Sequence, residues 1–143
     1  MIRQSKRLNR RTVVQSAGVR LAQALLAQNK AAPAGAGRKA VFEHDLPDLT
    51  MKNWSVNVVE VSYGPGEASA AHRHPGITIA YVLAGEIRSK VGDGPERTYS
   101  AGEVFLETPN ELHAVSRNAS TTKPAKLLAV MLAEKGKPLT TAA

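Results

Sequence analysis

Cysteine is absent from the 143 residues. That absence excludes a disulfide framework and a thiolate zinc site, and it leaves imidazole, carboxylate and hydroxyl oxygen as the side chains able to hold a metal. Aromatic residues make up only 4% of the chain, too few to interleave a basic surface with stacking platforms for nucleic acid. Acidic residues are missing from positions 1–36, where seven Lys or Arg stand unopposed. From position 37 onward twelve basic residues face twelve acidic ones, so the formal charge of +7 belongs to a tail and the body is neutral. Nucleic-acid binding needs basic residues spread over a folded face and is set aside on that distribution. No apolar run is long enough for a membrane span, because Arg20, Gln23 and Gln28 break up the best stretch.

What is present divides at an Ala/Pro/Gly linker near position 36. Residues 1–36 read as an N-terminal extension and residues 37–143 as one β-barrel domain, which is what a chain of this length supports. The extension runs from basic residues through a mildly apolar middle to Ala-x-Ala choices at Ala32-Pro33-Ala34 and Ala34-Gly35-Ala36, the order of an export signal. Asn9-Arg10-Arg11-Thr12-Val13-Val14 is similar to the start of a twin-arginine signal. If that segment works as one, the protein is periplasmic or exported; otherwise it is cytoplasmic. Val14, Ala17, Leu21, Ala24 and Leu25 also fall at helical spacing, so the same residues read equally well as a retained amphipathic helix.

Beyond the linker the pattern becomes strand-like. Residues 39–44, 54–63, 77–91, 103–107, 113–117 and 125–132 are short runs rich in Val, Ile, Leu and aromatics, separated by turn signals such as Gly64-Pro65-Gly66, Pro75-Gly76, Ala84-Gly85 and Ala101-Gly102. Many short strands without intervening helices predict an all-β, closed or double-sheet architecture. Within 77–91, Ile79 and Tyr81 form a second apolar face, which needs a cover; a homodimer is the expected one.

Three histidines carry the chemistry. Side chains alternate along a strand, so His72, His74 and Thr78 share a face if the Pro75-Gly76 turn keeps the register, and His113 opens a later run that can lie beside them. Three imidazoles in an apolar barrel each bring a donor and an acceptor that need partners, and a metal satisfies three nitrogens at once. A lone histidine is more often a hydrogen-bonded residue than a ligand, and His44, without a partner motif, is read as a surface or hydrogen-bonded histidine. Glu107, six residues before His113, is the one acid placed to act as a further ligand or base, although a lone glutamate is usually solvated and the rim position is favoured; Glu111 has a similar, lesser claim.

Gly66-x5-His72-x-His74-x3-Thr78-x6-Gly85 closely resembles the first motif of the cupin family, in which an acid normally stands at the position of Thr78. Gly102-x10-His113 resembles the second motif, with the usual proline displaced from Thr108 to Pro109, the usual glycine replaced by Asn110, and the closing asparagine at Asn118 instead of Arg117. The resemblance implies a cupin-type jelly-roll barrel with one mononuclear divalent transition metal, Fe, Zn, Mn, Ni or Cu, held by His72, His74 and His113. Thr78 leaves the fourth position open. Three neutral imidazoles would keep the ion at a formal +2 and so favour an anionic guest. The implied functions are a non-haem metal dioxygenase, or a related lyase or isomerase, acting on a small anionic or enolisable compound. The alternatives are a binding cupin that holds metal or a small ligand without turnover, and a barrel whose site has decayed.

Overall fold

The computed structural model describes residue 37 and residues 39–143. The proposed export signal and amphipathic helix therefore lie outside the described residues. Ten strands follow in order: β1 (Trp54–Tyr63), β2 (Ala68–Ser69), β3 (His72–Arg73), β4 (Ile77–Ala84), β5 (Glu86–Val91), β6 (Arg97–Ser100), β7 (Val104–Glu107), β8 (Leu112–Asn118), β9 (Ala125–Glu134) and β10 (Thr141–Ala142). They form an antiparallel four-stranded sheet, β1-β9-β4-β7, and a second sheet, β10-β3-β8-β5-β6, with β2 also paired to β8. This is the all-β, double-sheet architecture that the punctuation of the sequence predicts, in the jelly-roll form that the motif resemblance implies.

Alternation explains which residues enter the barrel. On β9, Leu127 and Ala129 are buried while Leu128 and Val130 face outward. They meet Tyr63, Ala80, Val82, Ile87 and Phe105 in one core cluster. The core sits at one part of the barrel interior and leaves a cavity of about 510 Å³ beside it, lined in part by Val61, Phe105, Leu127 and Met131.

Two glycines set the chain path beside that cavity. At Gly76 an added Cβ would collide with the carbonyl oxygen of Leu132, so β4 can lie against β9 immediately after His74 only because the residue there has no side chain. Gly85 turns β4 into β5 with φ 70°, a left-handed conformation, and a Cβ there would come within 2.6 Å of the Pro124 carbonyl oxygen.

One expected strand does not form. Residues 39–44 form no strand and pair with none of the described strands, with Val41 55% exposed, because β-propensity yields a strand only where a partner edge is available. Conversely β2, β3, β6 and β10 carry too few residues, or too polar a sequence, for pattern reading to find.

Candidate metal centre

β3 supplies His72 and, just past its end, His74; β7 ends on Glu107; β8 carries His113. The ladders bring them together. His72 stands directly opposite His113, and Thr78 directly opposite Glu107. One ligand atom from each of His72, His74, Glu107 and His113 lies within 4.8 Å of the other three. Atoms bound to a common ion at 2.0–2.2 Å stand about 3 to 4.3 Å apart, so only a small closure would be needed.

The orientation of each ring is fixed from behind. The His72 Nδ1–H donates to the Ala70 carbonyl at 2.7 Å and the His74 Nδ1–H to the Leu139 carbonyl at 2.7 Å. A carbonyl only accepts, so both rings present Nε2 as a free lone pair toward the cluster. His113 is turned the other way: its Nε2 shares a 2.8 Å hydrogen bond with the Ser89 hydroxyl, and its Nδ1 faces inward. That Nδ1 is 2.7 Å from Glu107 Oε2 yet lacks the alignment of a hydrogen bond, so among the described residues it is a buried nitrogen without a hydrogen-bond partner. His74 Nε2 is 3.4 Å from the same oxygen. A donor set converging on one point, with one nitrogen orphaned there, fits a divalent cation better than it fits a hydrogen-bonded core.

Glu107 is 5% exposed, which corrects the solvated reading favoured by its isolation in the sequence. Parity along β7 decides it: Phe105 and Glu107 point inward and Val104 and Leu106 are only half-buried. Glu111 is exposed and lies away from the cluster. His44 is exposed and stacks on Phe42, as expected of a surface histidine. Thr78 is 1% exposed and lines the cavity, but its hydroxyl has no hydrogen-bond partner among the described residues. Burial pushes the His72 imidazole below its ordinary value of 6.5; the hydrogen bond to Ala70 opposes that shift, the other two histidines reinforce it, and the Glu107 carboxylate opposes it.

The departures in the second motif have structural causes. Asn110 adopts φ 63°, a conformation open to asparagine as well as glycine, and its backbone is clamped by Arg73 at 2.7 Å and by the His74 carbonyl at 2.7 Å. The late asparagine reflects a β-bulge. Lys90 pairs with Val115 and Val91 with His113, so Ala114 is an extra residue that restores the inward direction of both His113 and Asn118. Asn118 is 1% exposed and donates to the Gly64 and Lys123 carbonyls, so it serves as a buried structural residue.

A cupin-domain family model matches residues 59–131, just over half of the chain. Among solved structures, an uncharacterized conserved protein with a double-stranded β-helix domain from Klebsiella pneumoniae aligns at 22% identity and TM-score 0.53, covering 74% of this chain and 90% of its own. A DMSP lyase from Ruegeria pomeroyi aligns at 20% identity and TM-score 0.55, covering 62% of this chain, which spans only 43% of the lyase. A Thermus thermophilus protein aligns at 27% identity and TM-score 0.51, covering 62% of this chain and 81% of its own. No curated protein sequence matches the chain. By its family match, its double-sheet barrel and its motif residues, the chain belongs to the cupin-domain family.

Proposed function

We propose that the protein is a metal-dependent cupin that binds a small organic molecule in the barrel cavity and acts on it at His72, His74, Glu107 and His113. The observation that carries this reading is the convergence of three imidazoles and one carboxylate within 4.8 Å, two of the rings held in a single tautomer by backbone carbonyls. A divalent ion bound there supplies a Lewis acid toward an oxygen of the guest. The protein's own part is to orient the ligands, to exclude bulk water with an apolar wall, and to lower the net charge of the centre through Glu107. The reaction class is that of a non-haem oxygenase or a related lyase or isomerase. The competing reading, a binding cupin without turnover, is favoured by one fact: the cavity lining described here contains no acid besides Glu107.

Elemental analysis of the purified protein and of His113→Ala tests the metal. Near-stoichiometric metal in the parent and loss of it in the variant are expected; metal-free parent protein at neutral pH would sink the reading. Oxygen uptake and product analysis across diketones, catechols and flavonols then separates an oxygenase from a binder. The same reading pairs two copies through the outer face of the four-stranded sheet, where Val56 and Val58 are 62% and 60% exposed. Light scattering on the eluted peak gives the mass that checks it. Among the described residues no helix is long and apolar enough to cross a membrane.

A further inference from the structure

The cavity beside the cluster has an unusual balance of charge. Its lining carries one carboxylate, Glu107, three imidazoles and, among the described residues, no Lys or Arg. Arg73, which lies between two of the histidines in sequence, projects away and is spent on the Asn110 carbonyl. With a divalent ion in place, three neutral imidazoles and one carboxylate sum to a formal +1. One negative charge on a guest is matched. A second would be buried beside Val61, Phe105, Leu127, Ala129 and Met131 with no cation among the described residues to pair it, and the nearby hydroxyls of Tyr63, Ser69 and Ser116 already bond one another, which is unfavourable.

Thr78 adds a second, independent observation. Thr78 is 1% exposed and its hydroxyl has no hydrogen-bond partner among the described residues, although the side chain lines the cavity directly opposite Glu107. A buried hydroxyl normally finds a partner. Here the described residues offer none, and a guest's oxygen in the cavity supplies one once the side chain turns its hydroxyl inward about χ1.

We propose that the site selects a molecule with a single oxygen-bearing head carrying at most one negative charge and an otherwise uncharged, apolar body, and that Thr78 reads the head by a hydrogen bond. Small dianions are excluded. This rests on the metal reading above and adds to it the class of guest and the residue that discriminates. A volume of about 510 Å³ accommodates a body of six to ten or so non-hydrogen atoms with room for solvent.

The experiment uses the full chain loaded with cobalt(II), whose visible absorption reports on the metal's surroundings, and titrates acetate, butyrate, hexanoate and adipate by calorimetry. Affinity should climb along the monocarboxylates by up to about fourfold per methylene, each should shift the cobalt band, and adipate should bind at least tenfold more weakly than hexanoate. Thr78→Val, which keeps shape and loses the hydroxyl, should retain cobalt while weakening hexanoate by about tenfold. Adipate binding as well as hexanoate, or a flat chain-length series, overturns the charge and apolar-body inference while leaving the metal reading intact. Unchanged hexanoate affinity in Thr78→Val overturns the assignment of Thr78. Failure of the parent to retain cobalt overturns the metal reading itself, and the head-group assignment with it.

Discussion

Moving the carboxylate across the ladder, by making Thr78→Glu and Glu107→Thr together, should preserve the metal centre that either the loss of Glu107 or its replacement by threonine alone destroys. The two residues are direct partners on β4 and β7 and both line the cavity, so their Cβ atoms stand about 5 Å apart and a glutamate from either one reaches the same region. Glu107→Thr alone removes the only acid of the cluster. Even at an effective dielectric of 20, two unit charges 4 Å apart interact by about 4 kcal/mol, which corresponds to roughly a thousandfold in affinity for the ion. The exchanged protein should recover to within about tenfold of the parent, since it has the same charge and the same number of ligands. Dialysis against a graded chelator series, with metal quantified by elemental analysis and folding checked by circular dichroism, measures all three proteins. Retention by Glu107→Thr equal to the parent would show that Glu107 is no ligand, and a folded exchange variant as leaky as the single one would show that the two positions are not equivalent.

Other outcomes follow from individual contacts. Gly76→Ala should cost about 3 kcal/mol or more in urea unfolding, because its methyl group meets the Leu132 carbonyl and must push β4 off β9 next to His74; an unchanged midpoint would mean that the strands can part there without penalty. Ser89→Ala should weaken metal retention by about tenfold with little loss of fold, since it frees the back of the His113 ring. For metal-free protein, the lowered value of His72 means that the unfolded chain binds more protons than the folded one below 6.5; stability should therefore fall on acidification from 6.5 downward, and His72→Gln should flatten that slope in denaturation curves at pH 7.5 and 5.5.

Much of the fold was legible because strands here alternate cleanly between turn-forming residues. The run 54–63 coincides with β1, and the glycine at 85 divides 77–91 into β4 and β5. The three histidines were legible for the same reason: parity places His72, His74 and Thr78 on one face, and the turn between them keeps register. Glu107 was located but misjudged. Its neighbours Val104 and Leu106 are apolar too, so sequence gives no sign of which face of β7 is the inner one, and a solitary glutamate is more often solvated than buried. The supports of the site were not legible at all. Ala70 and Leu139 act through backbone carbonyls, which every residue has, and Ser89 acts through a strand pairing that only the three-dimensional register reveals. The bulge at Ala114 is a further case, visible in sequence only as an asparagine one place late.

The position of the acid also changes what the site can recognise. With threonine at 78 and no acid elsewhere, the centre would carry +2 and draw anions without regard to the rest of the guest. With a divalent ion bound and Glu107 supplying the charge from the opposite strand, the centre would carry +1, and position 78 would be released from ligand duty while keeping its place on the cavity wall. A hydroxyl left unpaired in that place destabilises the empty protein, by about 1–3 kcal/mol on the usual cost of an unsatisfied buried group. Thr78→Val should therefore raise the stability of the protein without guest even as it weakens binding. A site that had merely decayed would show the gain without the loss, because no selection would hold a costly hydroxyl where valine fits.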